Sequence, residues 1–399
     1  MTAAAPSARR RHLFSFAALS ASYFAHIGFF NPYLPLWLKD LGLGIFAISL
    51  LTSIQGVTRL FAPYAWGALS DHTGERVKLL RFGAMVALLS SLGLWFDFGV
   101  WWLAAVLLVM FTHTSAMMPM SEAAMAHLVS SSGAFDARSY GRVRLWGSLG
   151  FLVTVFLAGA WFEQFGMAHF PAWNVLILLA VVVSAGLLPD LREEVHPHER
   201  KPAVWPVLRQ RPVRWLFASV FFHVLAHMCI YVFFSLYLDA LGYSKVMIGL
   251  LWAVSVLVEI GWFFTQSRWL PLLSLTGWLV LCAAAMVLRM GLTTSSAAVL
   301  PLLLLAQMLH ALTFAAHHSV CVALLSHHFP GRLRGRGQAL FTVIAYGFPG
   351  VLGGLAGGAL SSSYGLASVF TASFVVSLMA LACAFKVWRL QHPATVARG

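Results

Sequence analysis

Charge is what this sequence has least of. Only 10% of its 399 residues are Asp, Glu, Lys or Arg, where soluble domains carry about 25%, and the mean hydropathy is +0.81. That shortage excludes a soluble fold, because too few polar side chains remain to cover a water-facing surface. Acids are the scarcer sign, 13 against 26 bases, for a net charge of +13. Such an excess in a soluble chain points to nucleic acid, but here no basic amphipathic or aromatic-interleaved patch is present. The bases fall in short gaps between long apolar runs. Cysteine is rare too: Cys229, Cys282, Cys321 and Cys383 all lie inside apolar runs without CxxC spacing, so neither a disulfide framework nor a metal knuckle is indicated. No HExxH, GxSxG or aspartate-rich run is present, which leaves an integral-membrane enzyme without a motif to work with. Histidine, by contrast, is plentiful at 16. His223 and His227 stand one helical turn apart, and His317-His318 and His327-His328 are doublets, but no carboxylate or cysteine stands at ligand spacing beside them, which argues against metal transport. No metal and no cofactor is expected.

The apolar runs are long. A spanning helix needs about 20 residues, and twelve candidates can be marked: 13–38, 44–69, 78–98, 101–128, 143–164, 170–189, 213–238, 245–267, 272–292, 297–325, 336–361 and 364–388. Arg9, Arg10 and Arg11 before the first run resemble the start of an export signal. That run is too long and is followed by further spans, so it reads as a cytoplasmic anchor. With both termini inside, the cytoplasmic side holds Arg76, Lys78, Arg81, Arg138, Arg142, the cluster Arg192 to Arg214, Arg268, Arg332, Arg334, Arg336, Lys386 and Arg389, while Lys39 and Lys245 alone fall outside. The longest polar gap, rich in Pro, Arg, Glu and His, divides the chain into residues 1–189, a linker 190–212 and residues 213–399. The halves echo one another. A shift of 200 positions lays Leu36, Leu38, Leu41, Gly42, Ile48, Leu50 and Leu51 over Leu236, Leu238, Leu241, Gly242, Ile248, Leu250 and Leu251, and Arg59 over Glu259. Duplication of a six-helix unit is a common construction of secondary transporters.

Between spans 2 and 3 stand Gly67, Asp71, Gly74, Arg76 and Lys78. The glycines allow tight turning and close helix approach, and Asp71 can face a helix N-terminus or an arginine, here the start of span 11 near Arg336. The segment resembles the loop signature of the major facilitator superfamily, G-x-L-x-D-x-x-G-x-R/K-x-K/R. No second copy appears between spans 8 and 9, where Gln266, Arg268 and Pro271 stand. That resemblance, with the repeat, implies an all-α integral membrane protein of twelve transmembrane helices in two six-helix bundles.

A charge near the bilayer centre costs roughly 3 kcal/mol or more, so it usually faces a partner or a wet cavity. Glu122, after Met118, Pro119, Met120 and Ser121, and Arg144, inside Tyr140-Gly141-Arg142-Val143-Arg144-Leu145-Trp146-Gly147-Ser148, are placed to pair at facing helix ends. Span 2 carries Thr52, Gln55 and Arg59 on one face, and Arg59 needs an anion there, either a protein acid or a substrate carboxylate. Glu259, Arg289 and His310 lie inside spans 8, 9 and 10, and their charges balance only if they meet. His227 and His310 are candidates for polar cavity or proton-linked groups. Asn31-Pro32, Pro35 and Phe348-Pro349-Gly350 interrupt spans 1 and 11, where kinks would serve rocking or simply shape the helix.

The Tyr140 to Ser148 stretch looks like the span-5 start of the phenylpropionate permease family, which is similar to the lactose-permease-like oligosaccharide:proton symporters. In that pattern P-x-x-E and G-R-x-R supply a sugar-binding Glu and Arg, which fall on Glu122 and Arg144; a plain cytoplasmic-edge ion pair is the other reading. The family's K-x-x-H-x-x-E run becomes Gln307, His310 and Thr313, so the acid expected to carry the coupled proton is missing and Glu259 is left. Q-x-x-H-x-x-T favours the phenylpropionate branch. The resemblance implies a proton-coupled importer of a small organic solute in a bacterial-type plasma (inner) membrane, acting by alternating access as a monomer. Its substrate is an aromatic carboxylate such as 3-phenylpropionate, or alternatively a sugar, oligosaccharide or nucleoside. Substrate binding falls to Glu122, Arg144, Arg59, Gln55 and His227, proton coupling to Glu259, Arg289 and His310. A substrate sensor that binds without accumulating is the competing class.

Overall fold

Length and apolarity alone make twelve helices fit to cross a bilayer among the described residues, which are 6–130, 137–190, 204–330 and 333–391 of this computed structural model. They are α1 Arg11–Asp40, α2 Ile45–Ser70, α3 Arg76–Trp95, α4 Val100–Glu122, α5 Val143–Phe165, α6 Met167–Gly186, α7 Arg211–Ala240, α8 Lys245–Leu272, α9 Leu275–Ser296, α10 Leu300–His328, α11 Gly337–Tyr364 and α12 Leu366–Gln391. No strand occurs among the described residues. The span ends move by at most six residues from the sequence reading, the largest shift being at the end of α4, Glu122 against 128. In α12 only 33% of the apolar window is buried within the protein. The remainder needs lipid, not water, against it.

The chain forms two compact units, Met1–Pro197 with Tyr243–Ala253, and His198–Gly242 with Val254–Gly399. In the first unit Phe16, Leu19, Leu80, Met117, Met120 and Val181 make an apolar cluster; in the second, Leu216, Val220, Trp278, Leu279, Val320 and Phe329 do so. The 200-residue offset is visible in the backbone. α1 ends at Asp40 and α2 starts at Ile45, α7 ends at Ala240 and α8 starts at Lys245, and the intervening Gly42 and Gly242 turn with φ of 82° and 85°. Both positions require a left-handed residue, and glycine takes that conformation without a Cβ clash. Arg81 closes the end of α6, donating to the carbonyls of Ala185 and Leu188 at 3.3 and 2.6 Å and pairing with Asp190 at 2.8 Å. A cation there answers the free carbonyls and the negative end of the helix dipole.

The prolines act differently from expectation. The helix that carries α1 runs unbroken from Pro6 to Asp40 through Pro32 and Pro35, so no interruption occurs in span 1. In α4 the helix turns at Ser115–Ala116 and resumes at Met117. Pro119 explains this, because a proline ring displaces the carbonyl four residues earlier, here that of Ser115. In α11 a π-helical turn, Val343–Gly347, runs directly into Phe348–Tyr364, with Pro349, which has no N–H to give to the preceding turn, just after it. A second π-helix, Ala311–Ala316, widens α10 just after His310.

Candidate functional site

Polar side chains interrupt the apolar helices in one cluster in each unit. In the first unit the cluster depends on how closely α5 lies on α1. A Cβ at Gly150 would collide with the backbone carbonyl of Ala21, and one at Gly147 would come within 2.6 Å of the Phe24 ring and 2.7 Å of Ser20 Oγ. Small residues let the two backbones touch, and that contact sets Arg144, one turn earlier, over α1. Its guanidinium lies 5.2 Å from the centre of the Phe24 ring, a cation–π distance. Arg144 Nη1 donates to Glu122 Oε1 at 2.5 Å.

The side chains of this pair are 44% and 35% exposed, so their mutual attraction is worth about 1 kcal/mol or less. The pair positions more than it stabilises. Among the described residues the pair makes a single contact, and the second Glu122 oxygen and the remaining Arg144 N–H groups have no hydrogen bond there. Tyr23, one residue before Phe24, is within electrostatic reach of Arg59, Glu122 and Arg144. Arg59 itself is half-buried and has no hydrogen bond or ion pair among the described residues. Gln55, on the same face of α2, donates to Asn31 Oδ1 at 3.4 Å, a long bond.

The second unit brings Glu259, Arg289 and His310 together. Arg289 is fully buried. Its Nη1 donates to Thr313 Oγ1 at 2.9 Å and reaches His310 Nδ1 at 3.1 Å, while Nη2 donates to Gln307 Oε1 at 3.2 Å. Ser255 Oγ donates to the same Gln307 oxygen at 2.8 Å. The other face of His310 meets the acid, with Nε2 3.4 Å from Glu259 Oε2. A guanidinium has donors only, so Nδ1 must accept and the ring's proton sits on Nε2, directed at Glu259. Protonating His310 would set N–H against N–H and part the ring from Arg289. The proton count of Glu259 and His310 is thereby tied to the position of a buried cation.

His227 is not part of the first cluster: it lies in the second unit, its ring 5.4 Å from His310 and stacked 5.0 Å from Tyr231. It lines a small cavity with His223, Thr313, Phe314, His317 and Tyr346. Contrary to the sequence reading, a cysteine does stand beside one of these histidines, since Cys321 Sγ is 3.5 Å from His317 Nε2 one turn along α10. No group of three or more His, Cys, Asp or Glu placed to hold a metal occurs among the described residues.

In the loop after α2, Gly74 turns the chain with φ 68°, its N–H bonding to the carbonyl of Ser70 at 2.8 Å. Arg76 Nε donates to Ser70 Oγ at 3.0 Å, and Lys78 pairs with Glu75 at 2.8 Å. Gly67 does not serve a close helix approach, because a Cβ there would meet nothing within 4 Å. The side chains of Asp71 and Arg336 lie outside the described residues.

Sequence reasoning passed over Tyr23, Phe24 and Ser255. The first two are hidden in an aromatic-rich run, with nothing to mark them apart from core residues. Ser255 carried a usable signal, one turn before Glu259 on the same face of α8.

Comparison with known proteins adds the family. The family described as MFS_1 like family matches residues 16–372. The chain is 27% identical over 331 residues to a probable 3-phenylpropionic acid transporter of Escherichia coli (strain K12), covering 82% of this chain and 85% of that one. It is 28% identical over 214 residues to a maltose permease of Geobacillus stearothermophilus, covering 51% of each. Among solved structures it is similar to the nucleoside transporter NupG, with a TM-score of 0.77 at 15% identity over 95% of this chain and 98% of that one.

Proposed function

Because this chain belongs to the MFS_1 like family of membrane transporters, we propose that it imports a small aromatic carboxylate, of the 3-phenylpropionate kind, together with a proton by alternating access. It is a multi-pass membrane transporter and not an enzyme. The observation that carries the carboxylate reading is Arg59, a half-buried guanidinium without a partner among the described residues, within electrostatic reach of the same Tyr23 that Arg144, already paired with its acid, also reaches. A planar fork of donors in apolar surroundings binds a carboxylate through two parallel bonds. The similarity to a probable 3-phenylpropionic acid transporter points the same way.

The coupled proton belongs to Glu259 and His310, with Arg289 responding to it. Where the lactose-permease-like pattern has Lys and Glu, Gln307 and Thr313 stand. Both offer neutral oxygens to Arg289, so one positive and one negative group are replaced together and the net charge of the cluster is unchanged. In this scheme the transporter sits in a plasma (inner) membrane with both termini cytoplasmic. It works as a monomer of two six-helix halves, 1–189 and 213–399, with 190–212 as linker and the Gly67 to Lys78 loop as gate.

A sugar is the second reading, favoured by the singly bonded Glu122–Arg144 pair, which offers both acceptors and donors to hydroxyls, and by the maltose permease similarity. Uptake into vesicles reconstituted with the purified protein, against 3-phenylpropionate, maltose and a nucleoside with and without an inward proton gradient, separates the readings. Gradient-driven uptake of the aromatic acid alone is the expected result; uptake of maltose alone would replace the carboxylate by a sugar, and saturable binding without accumulation would make the protein a sensor.

A further inference from the structure

The cavity in the second unit holds more titratable nitrogen than the Glu259–His310–Arg289 cluster uses. His223 Nε2 lies 2.8 Å from the carbonyl oxygen of Thr313. A carbonyl only accepts, so the proton is on Nε2 and Nδ1 is a bare acceptor. His223 Nδ1 and His227 Nε2 are both buried without a hydrogen-bond partner among the described residues, and both rings line the same cavity, which has room for about one water. The His223 ring lies flat on that of His317, with centroids 3.7 Å apart and planes 3° from parallel. An imidazolium is stabilised by a neutral aromatic face, whereas two stacked cations repel, so the pair suits one proton and not two.

Thr313 joins this pair to the coupling cluster. Its hydroxyl accepts from Arg289 and its carbonyl from His223. It sits in the π-helix Ala311–Ala316, and Tyr346, which also lines the cavity, sits in the π-helix Val343–Gly347. Widened turns of this kind occur often at functional sites. The other titratable or charged groups around the pair are Tyr231 from α7, Arg289 from α9, His310, His318 and Cys321 from α10, and Tyr346 from α11. No carboxylate is among these described neighbours to fix a charge permanently on the histidines.

We propose that the stacked pair His223–His317 is a holding site for the transported proton, reached from Glu259 and His310 by way of His227. The inference rests on the proton-coupled reading given above. In the loaded state Glu259 is a carboxylate and His310 an imidazolium whose ring has parted from Arg289. The Nδ1 proton of His310 passes to His227, His310 returns to the Nε2–H form, and the His227 imidazolium gives a proton to a water in the cavity. The water passes a proton to Nδ1 of His223. Glu259 ends as a carboxylate and His223 as an imidazolium over His317; one proton has moved and no bond between heavy atoms has changed. The pair thus supplies a place for the proton in a chain that has Thr313 where the lactose-permease-like pattern has an acid.

The test uses the full chain in vesicles with a pH-sensitive dye trapped inside, and 3-phenylpropionate, maltose and a nucleoside as solutes. His317→Phe and His223→Phe keep an aromatic stack of similar volume and remove the titratable nitrogens. Solute-driven proton entry is expected to fall about tenfold or more in each, while exchange of labelled for unlabelled solute stays within about threefold of the unmodified protein. Proton entry within about threefold of the unmodified protein in both variants overturns the holding site. If either variant loses exchange as well, the unmodified protein decides: in D2O its solute-driven proton entry must slow relative to exchange, and equal slowing overturns the proposal. An unmodified protein that moves solute without protons refutes the coupled reading itself, and does so before any variant is made.

Discussion

Removing Arg59 probes the carboxylate reading most directly, because the binding role proposed for it predicts a loss of affinity without a loss of stability. Arg59 holds no protein acid among the described residues, so Arg59→Ala leaves no buried carboxylate unpaired and should not lower the melting temperature of the purified protein. Arg289 is the contrast: it is fully buried and serves His310, Thr313 and Gln307, and its removal would leave buried acceptors unsatisfied at a cost of about 1–3 kcal/mol each in stability. For Arg59 the whole loss appears in substrate affinity. Hydrogen bonds to a charged group are worth about 1.5–3 kcal/mol, which corresponds to a rise in Kd of roughly tenfold to a hundredfold. Arg59→Lys should recover only part of it, since a point charge lacks the planar fork. Titration of purified protein with 3-phenylpropionate in detergent, alongside a melting curve, gives both numbers. An aromatic-acid affinity unchanged in Arg59→Ala, with that acid still transported, would refute the reasoning. The Glu122 partner then becomes informative: a sugar needs both members of its pair, so Glu122→Gln should weaken sugar binding about as much as Arg144→Ala, whereas a carboxylate should tolerate Glu122→Gln.

Other outcomes follow from particular contacts. Glu259→Gln, a permanent mimic of the protonated acid facing His310, should abolish accumulation against a gradient in vesicles and retain exchange of labelled substrate; surviving accumulation moves the proton site to His310. Gly150→Val drives a side chain into the backbone of Ala21, and the overpacking should cost about 1–3 kcal/mol, seen as a lower melting temperature together with weaker binding, because Arg144 rides on the same helix. Asp71→Asn should slow transport while leaving substrate affinity within a few fold; a parental rate would reduce the loop to a turn. Cysteines placed at Arg200 and Lys245 should react with an impermeant thiol reagent from outside intact cells at 245 and not at 200, and the reverse pattern would invert the topology.

The sequence by itself determined the twelve spans and the repeat, because both are written in local terms. A scarcity of charge over about 20 residues forces a helix into lipid whatever its neighbours are, and Gly42 and Gly242 turn the chain by their own lack of a Cβ. It also named Glu259, Arg289 and His310, since an ionisable residue in an apolar helix is conspicuous without knowing its partner. Only the tertiary structure decided who meets whom. That His310 stands between Arg289 and Glu259 fixes its tautomer, and no spacing along three separate helices contains that fact. That Arg144 lies over α1 depends on α5 lying against α1 at Gly147 and Gly150, and only the folded chain shows that Arg59 has no described partner. The π-helical turns in α10 and α11 and the flat stack of His223 on His317 were illegible for the same reason: they arise from how helices press on one another, and a hydrophobic pattern records which face is buried but not what it is buried against.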